Sequence, residues 1–430
     1  MWKRPPLKTM PAKELRIRVM PSIADVPAAD WDACANPTIA KIPVRPDEPI
    51  ASAASCGLPD AAIATEEFPY NPFISHGFLH ALEASKSATA RTGWQPQHLV
   101  VEAADGTVAG VAPGYLKSHS RGEYVFDAGW AEAYENAGGQ YYPKLQVAVP
   151  FTPATGRRLL TRPGPETDDL RASLGAGLVE LCRLRQASSV HVTFATEAEW
   201  RLLGERGFLQ RTDQQFHWRN AGYATFDDFL AALAARKRKA IKRERRDAVA
   251  AGIEIQWLTG AELTENVWDH FFAFYMETGS RKWGRPYLTR SFYSLVGEKM
   301  PDRIVLMMAR RAGRWIAGAI NFIGSHTLFG RHWGAVEHHP FLHFELCYYQ
   351  AIDYAIANRL DCVEAGAQGE HKLARGYMPV TTHSAHYIAD GGLRRAIADY
   401  LARERAYVAA AGRELSEAAP FRKDLMVEED

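Results

Sequence analysis

Apolar residues along the chain follow two different periods. Strand-length runs such as "ELRIRV" (14–19) and "IVLMMA" (304–309) are interspersed with longer stretches whose apolar residues recur every three or four positions. The stretches 74–85, 167–185 and 342–359 are of this second, helical kind. Strands separated by helices of this length predict an α/β protein built on a mixed sheet.

Two segments of the first half depart from simple alternation. The stretch 37–70 is rich in proline and alanine, which excludes regular helix and predicts a long surface excursion, either a lid over a site or an insertion. Residues 98–130 then show alternating apolar runs around Asp105-Gly106, a dipeptide typical of hairpin turns. This segment is predicted to be a β-meander.

The second half of the chain repeats the order of the first. The meander 98–130 has a counterpart at 303–334, in which a strand, a glycine turn, a strand with Ala-Gly, a Ser-His pair and a tryptophan recur in sequence. Trp130 and Trp333 close the two copies. A helix, a strand, a short helix and a final strand then follow in both halves.

The register of the repeat is clearest near the final strands. "RGFLQRT" (206–212) matches "RGYMPVT" (375–381), and the same spacing aligns His217 with His386. We interpret this as an internal duplication with its join near residue 220. The predicted units are a first domain (1–220), a basic linking helix with the first strand of the second domain (221–260), and a second domain (261–430).

The join itself is predicted to be one long helix followed by a strand, within residues 225–258. Eight of the eleven residues from Arg236 to Arg246 are Lys or Arg. Such a run is a candidate footprint for RNA phosphates, and its alternative is a solvated connecting helix in which Glu244 pairs locally. The candidate contacts are Arg236, Lys237, Arg238, Lys239, Lys242 and Arg243.

Composition limits the classes of protein to consider. A chain of 430 residues with 47% hydrophobic and 23% charged residues is typical of a globular protein of two domains. The net charge of +1 means that any polyanion site must be local. Five dispersed cysteines without a C-x-x-C pair favour a reducing compartment. Because no apolar run reaches the length of a signal peptide or a membrane span, we expect a cytoplasmic protein without a membrane span.

Several phrases of the sequence resemble a known family. "LLGERGF" (202–208) and "KLARGYM" (372–378) stand where the GNAT acyltransferase fold has a short helix before its last strands. "NPFISHGFLHALE", "GEYVFDAGWAEAY", "GRHWG" and "EAGAQGEHKLARGY" resemble the FemAB-like predicted N-acyltransferases, across residues 71–386. The resemblance implies an α/β (α+β mixed-sheet), three-layer protein with two tandem GNAT-like acyltransferase domains.

The same resemblance implies a reaction. It is the transfer of an acyl or aminoacyl group from acyl-CoA or aminoacyl-tRNA to an amine acceptor, a small molecule or a peptide, in cell-wall precursor metabolism. No tightly bound cofactor is implied. The alternative is a non-catalytic protein that binds peptidoglycan precursors or other acylated ligands.

The comparison of the two copies identifies candidate catalytic residues. Copy two has Glu370, His371 and Lys372 where copy one has the more apolar "RLL" (201–203). Because burying an unpaired polar group costs about 1–3 kcal/mol, these changes favour a cleft over a core. Glu370 or His371 is predicted to deprotonate the acceptor amine, and Lys372 to bind a carboxylate or phosphate. Glu364 is a second candidate base, and a solvated helix face is the alternative.

Other candidates lie outside this helix. The turn after the strand near 147 is a predicted phosphate seat for the donor, although its arginines could instead pair with local acids; its residues are Thr152, Thr155, Gly156, Arg157 and Arg158. Glu345 and His343 are candidate substrate contacts, and no metal site is predicted because the histidines nearby lack ligand spacing. Asp127, Trp130 and Tyr142 are predicted to line the cleft between domains, unless aromatic packing explains them.

Overall fold

Two β-sheets organise the protein in a computed structural model that describes residues 15–37, 68–283, 286–366 and 369–422. The strands are β1 (Arg16–Met20), β2 (Trp94–Pro96), β3 (His98–Glu102), β4 (Val108–Ala112), β5 (Gly114–Lys117), β6 (Lys144–Val147), β7 (Leu160–Thr161), β8 (Ser189–Ala195), β9 (Leu209–Arg219), β10 (Ile253–Thr259), β11 (Ile304–Arg311), β12 (Arg314–Ile323), β13 (Thr327–Ala335), β14 (Cys362–Glu364) and β15 (Met378–Ile388). The smaller sheet has the order β1-β3-β4-β7, and the larger sheet has the order β10-β11-β12-β13-β14-β9-β15-β8-β6-β5-β2.

Helices cover both faces of the larger sheet. They are α1 (Ala28–Ala35), α2 (His76–Ala84), α3 (Ala128–Asn136), α4 (Thr167–Leu184), α5 (Glu197–Glu205), α6 (Phe226–Ala232), α7 (Ala235–Ala248), α8 (Glu265–Trp283), α9 (Arg290–Lys299), α10 (Leu342–Phe344), α11 (Gln350–Ala357) and α12 (Gly391–Glu417). A π-helical segment, Glu345–Tyr349, joins α10 to α11, and a 3-10 helix spans Glu370–Arg375.

Strand β11 illustrates how the sequence produces three layers. Its residues are buried on both faces, so the run "IVLMMA" is apolar throughout instead of alternating. Leu306 and Met308 pack into the cluster that contains α8 and α9, whereas Val305 and Met307 pack into the cluster that contains α6 and α11. The three-layer α/β class predicted from the sequence is confirmed.

The two halves exchange their final strands. Helix α5 connects β8 to β9, and so short a connection favours pairing of β9 with β8. In the structure β8 instead pairs with β15 from the other half. Likewise β14 pairs with β9 from the first half. Strands β9 and β15 then pair with each other, antiparallel, from Leu209↔His386 to His217↔Met378. Because the repeat aligns Leu209 with Met378 and His217 with His386, this pairing is symmetric about a local two-fold axis.

Because of this exchange, each copy has a centre of paired residues to which both halves contribute. Glu364 at the end of β14 pairs in register with His217 of β9, and His191 of β8 pairs with His386 of β15. Glu364 and His191 therefore occupy equivalent places in the two copies. The larger sheet is continuous across both halves, so one folding unit contains residues that the repeat assigns to two.

Two predicted elements differ from the structure. The long helix at the join is two helices, because buried Leu233 adopts an extended conformation between α6 and α7 and bridges to Phe421. Trp130 lies in helix α3, whereas Trp333 lies in strand β13, so these tryptophans are not structural equivalents. The hairpin at Asp105-Gly106 is confirmed, with the Thr107 N–H donating to the Asp105 carboxylate.

Other sequence-based expectations concern regions that the structure covers incompletely. Most of the Pro-rich stretch 37–70 lies outside the described residues. Within the described part of the chain, no helix combines the length and the apolar character needed to cross a bilayer.

Candidate functional site

A bulge in β13 opens the larger sheet beside the end of β14. Asn321 pairs with Gly330 and Ala319 pairs with Trp333, so β13 has one more residue than β12 between these pairs. β13 runs parallel to β14 only as far as the pair Phe329↔Glu364. Bulges leave backbone groups outside the ladder and re-aim side chains. Strands β13 and β14 therefore separate beyond Glu364, and backbone groups of the bulge face the gap between them.

The carboxyl group of Glu364 is the most perturbed acid at this gap. Burial raises its pKa to about 8, although the Thr155 backbone N–H and the guanidinium groups of Arg331 and Arg158 act to lower it. Its Oε2 atom is buried without a hydrogen-bond partner among the described residues. A carboxyl group that titrates near neutral pH and has an open oxygen is suited to accept and release a proton.

His217 lies close to this carboxyl group, and Lys372 in turn acts on His217. The Nε2 atom of His217 is 4.0 Å from Oε2 of Glu364, and burial lowers the pKa of His217 to about 3, with Arg219 and Lys372 adding to the effect. Burial also lowers the pKa of Lys372 to about 8, and its Nζ donates to the Gly366 carbonyl at 2.8 Å. The imidazole is therefore neutral at pH 7, and the ammonium group can lose its proton at low energetic cost.

The predicted helix of copy two places its residues in different environments. His371 is exposed, and its Nε2 lies 2.9 Å from the Tyr348 hydroxyl at the rim of an aromatic cluster. His343 belongs to the same cluster and packs on Trp333, with ring centroids 4.5 Å apart. Lys372 instead points into the protein. The side chain of Glu370 lies outside the described residues.

Glu345 is engaged by the protein itself. Its buried carboxylate accepts from Arg245 at 2.9 Å and from Gln350 at 2.7 Å. Arg245 also donates to Asp353 at 2.6 Å. This ion-pair network joins α7 to the π-helical segment, so Glu345 holds the basic helix against the site, and its predicted contact with substrate stays a prediction.

The turn predicted to seat a phosphate is also engaged internally. The buried guanidinium of Arg158 donates to the carbonyls of Thr193 and Ala154, and Arg157 donates to those of Cys34 and Ala35. Thr152 and Gly156 form hydrogen bonds within the turn and to β8. Two residues of the turn act on Glu364, Thr155 through its backbone N–H and Arg158 through its charge. The phosphate seat stays a prediction, one that requires both guanidinium groups to leave backbone carbonyls.

Asp127, Trp130 and Tyr142 gather around the copy-one centre and not around Glu364. Asp127 accepts from the Tyr141 hydroxyl at 2.7 Å and forms an ion pair with buried Lys144. Burial acts to raise the pKa of Asp127, but the Lys144 ammonium, together with His191 and the hydrogen bonds to the carboxylate, holds the pKa below its usual value. Tyr142 contacts Ser120 at 2.8 Å, and Trp130 is buried.

The copy-one centre differs from that of copy two in chemistry. His191 replaces Glu364, and its Nδ1 lies 2.7 Å from Nδ1 of His386. At this distance one of the two imidazoles must donate and the other accept. Burial lowers the pKa of His191 to about 3, so both rings are neutral and bound to each other. This centre is enclosed by Trp130. Its carboxylate belongs to Asp127, which also has a buried oxygen without a hydrogen-bond partner among the described residues but, unlike Glu364, forms an ion pair with a buried lysine.

Helix α7 carries the basic run that the sequence singled out. Its Glu244 faces the site, where it forms an ion pair with Arg375 at 2.8 Å. Lys242 pairs with Asp227, and Arg238 donates to a backbone carbonyl. The remaining candidates have no ion-pair partner among the described residues; they are Arg236, Lys237, Lys239 and Arg243. One side of α7 thus contacts the 3-10 helix, and the basic side chains without an ion-pair partner among the described residues lie elsewhere on the helix surface.

Sequence reasoning identified Glu364 and Lys372 but missed His217 and Arg331. Arg331 lies in the bulge, where its guanidinium donates to the Phe151 carbonyl and acts on Glu364. Nothing in a strand pattern distinguishes a buried arginine from an exposed one. His217 did carry a signal, because it recurs as His386 in the repeat.

Comparisons with known proteins identify the family of this chain. The FemAB-like family model, described as peptidoglycan biosynthesis and recognition, matches residues 22–423. The solved structure of FemX is 12% identical and has a TM-score of 0.47, with 74% of this chain and 93% of that chain covered. A tandem GNAT protein from the clavulanic acid biosynthesis pathway is 14% identical and has a TM-score of 0.43, with 88% and 99% covered. No curated protein sequence matches the chain closely.

Proposed function

Because the chain belongs to the FemAB-like family, we propose that it is an N-acyltransferase that moves an acyl or aminoacyl group from an activated carrier to an amine. The observation that carries this proposal is the Glu364 carboxyl group. It is buried beside a strand bulge, has a pKa raised to about 8, and retains an oxygen without a partner among the described residues. Such a group accepts a proton from an ammonium or amine substrate and later returns it.

The reaction proceeds by direct attack. The acceptor amine nitrogen bonds to the carbonyl carbon of an ester or thioester, and Glu364 takes the proton that this nitrogen loses. The tetrahedral intermediate places a negative charge on the former carbonyl oxygen. Backbone N–H groups from the β13 bulge and the ammonium of Lys372 are candidate groups to stabilise that charge. The oxyanion then re-forms the carbonyl as the carbon–oxygen or carbon–sulfur bond breaks. The leaving oxygen or sulfur takes the proton from Glu364, which returns to its carboxylate form.

The donor that the geometry supports best is an aminoacyl ester carried by RNA. The guanidinium groups at 157 and 158 already donate to backbone carbonyls, which weakens the case for a pyrophosphate of acyl-CoA at that turn. By contrast, α7 presents bare cations and is joined to the site helix through Glu244 and Arg375. Clustered cations on one helix surface are the usual footprint for a phosphate backbone.

Transfer assays with each donor test the proposal. Aminoacyl-tRNA and acyl-CoA are supplied in parallel with an amine-bearing muropeptide, and product is measured by mass spectrometry. We expect product with the aminoacyl-tRNA and a fall in kcat of roughly 10²–10⁴-fold for Glu364→Gln. The exposed Glu205→Gln is the matched control and should retain full kcat.

Two outcomes would contradict the proposal at different points. Full activity of Glu364→Gln would remove the assigned base, whatever the donor. Binding of the muropeptide without turnover from either donor, and with affinity altered by Glu364→Gln, would favour the non-catalytic binding protein. If product forms with acyl-CoA but not with aminoacyl-tRNA, the assignment as a transferase is retained and RNA is rejected as the carrier of the donor group.

A further inference from the structure

A cleft outside the Glu364 centre lies between the two halves of the protein. It encloses about 910 Å³ and is bounded by the loop after α2, the segment after β5, and helices α8 and α9. Phe151 forms part of its wall, where the ring stacks on Tyr287 with centroids 4.8 Å apart and planes inclined by 14°. A cleft of this volume is large enough for a small organic ligand.

The first half of the chain gives the cleft a positive wall. Lys86, Arg91 and Arg121 are exposed there, and within the described part of the chain none of them has a carboxylate at ion-pair distance. None of the described residues that line the cleft is acidic. A fourth cation, Arg290, is held by two acidic side chains of α8. Lys86 also has a φ of 63°, a costly backbone conformation for a residue with a side chain. Uncompensated cations attract an anion to this wall.

The second half gives the cleft an apolar wall. Phe272 and Met276 of α8 lie along it, followed by Tyr287 and Leu288 before α9. Met276 is 39% exposed, although large apolar side chains are usually more buried in folded proteins. Contiguous apolar surface beside bare cations, inside one cleft, calls for a ligand with both characters.

We infer that this cleft binds an anionic amphiphile, with a phosphate-type head group against the first-half cations and a single hydrocarbon chain against the second-half apolar wall. A small phosphate alone would leave the apolar wall in water. A neutral lipid would leave the three cations without a counter-charge. The inference concerns binding alone and stands independently of the proposed transfer reaction.

The position of the cleft gives this binding a relation to the Glu364 centre. The Phe151 carbonyl accepts a hydrogen bond from Arg331, and Arg331 acts electrostatically on Glu364. A bound amphiphile that moves Phe151 would therefore alter the guanidinium next to the carboxyl group. Phe151 and Arg331 thus stand between a bound amphiphile and Glu364.

Calorimetric titration of the full chain tests the inference with three probes. Decyl phosphate is used below its critical micelle concentration. Methyl phosphate has the same head group without the long chain, and decyl maltoside has the same chain on an uncharged sugar. We expect decyl phosphate to bind at least about tenfold more tightly than either, with a negative heat-capacity change from apolar burial. The double variant Arg91→Glu/Arg121→Glu should lose roughly tenfold or more of this affinity.

Controls separate the cleft from general attraction of a detergent. The double variant Arg403→Glu/Arg413→Glu changes the same charge on exposed positions of α12 and should bind decyl phosphate like the wild type. Met276→Ser should weaken decyl phosphate and leave methyl phosphate unchanged. If Arg91→Glu/Arg121→Glu does not fold, as judged by circular dichroism, Lys86→Glu serves in its place. Equal affinity for methyl and decyl phosphate, equal affinity for decyl maltoside, or no effect of the cleft variants would overturn the inference.

Discussion

Replacing Glu364 with glutamine should stabilise the protein increasingly as pH rises. Burial raises the pKa of this carboxyl group from 4.5 to about 8 in the folded protein, whereas the unfolded chain keeps the ordinary value. Between these two values the folded state binds more protons than the unfolded state, so the wild type loses stability as pH increases. A difference of this size corresponds to about 5 kcal/mol, reached in full only above the folded pKa.

Urea denaturation at a series of pH values measures this effect. The free energy of unfolding of Glu364→Gln minus that of the wild type should increase by about 5 kcal/mol from low pH to above pH 8, because other titrating groups cancel in the difference. Glu205→Gln, an exposed change of the same chemistry, supplies the baseline. A difference for Glu364→Gln that stays constant with pH would show that this carboxyl group titrates normally, and the reasoning about its burial would fail.

Three further expectations follow from other contacts. Gly334→Ala should lower stability by about 3 kcal/mol in thermal unfolding, because the added Cβ would lie 2.0 Å from the Phe274 carbonyl oxygen and force α8 away; an unchanged Tm would contradict this close approach. Arg375→Ala should cost about 3 kcal/mol in urea denaturation by leaving Glu244 partly buried without its ion pair, whereas an exposed pair would cost under 1 kcal/mol. Breaking the chain after Gly222 should give two halves that are unfolded alone and assemble when co-expressed, as monitored by circular dichroism; a folded isolated half would argue against the exchanged strands.

The sequence predicted the elements of the fold better than their partners. Period and turn chemistry identified the strands around residues 304–309 and the helices around 167–185, because local burial determines both. The exchange of β9 and β15 was beyond such reasoning. Both strands follow the same Arg-Gly-aromatic motif and keep a Thr and a His at the same spacing, so the pattern fits pairing within a half as well as pairing between halves. Only contacts distant in sequence decide between the two.

The same limit applies to the candidate site. Comparing the two copies led to Lys372, since an ionisable residue replaced Leu203 on a repeated scaffold. That comparison could not tell that Lys372 turns inward while His371 is exposed. The turn at 152–158 looked suited to an anion because its composition is right. Its arginines nevertheless donate to carbonyls of the protein, and composition does not reveal which acceptors lie within reach.

The strand exchange also bears on how the protein came to have two unlike centres. Two separate chains that trade their last strands form a symmetric dimer with two identical centres, each made from both chains. Joining such chains end to end through α6 and α7 keeps the assembly. A substitution in the joined chain then alters one copy only, whereas in a homodimer it alters both. The equivalent residues Glu364 and His191 differ in this way. The first is an acid with one oxygen that has no hydrogen-bond partner among the described residues, and the second is an imidazole hydrogen-bonded to His386. A duplicated unit within one chain can thus hold different residues at two places that a symmetric dimer would keep identical.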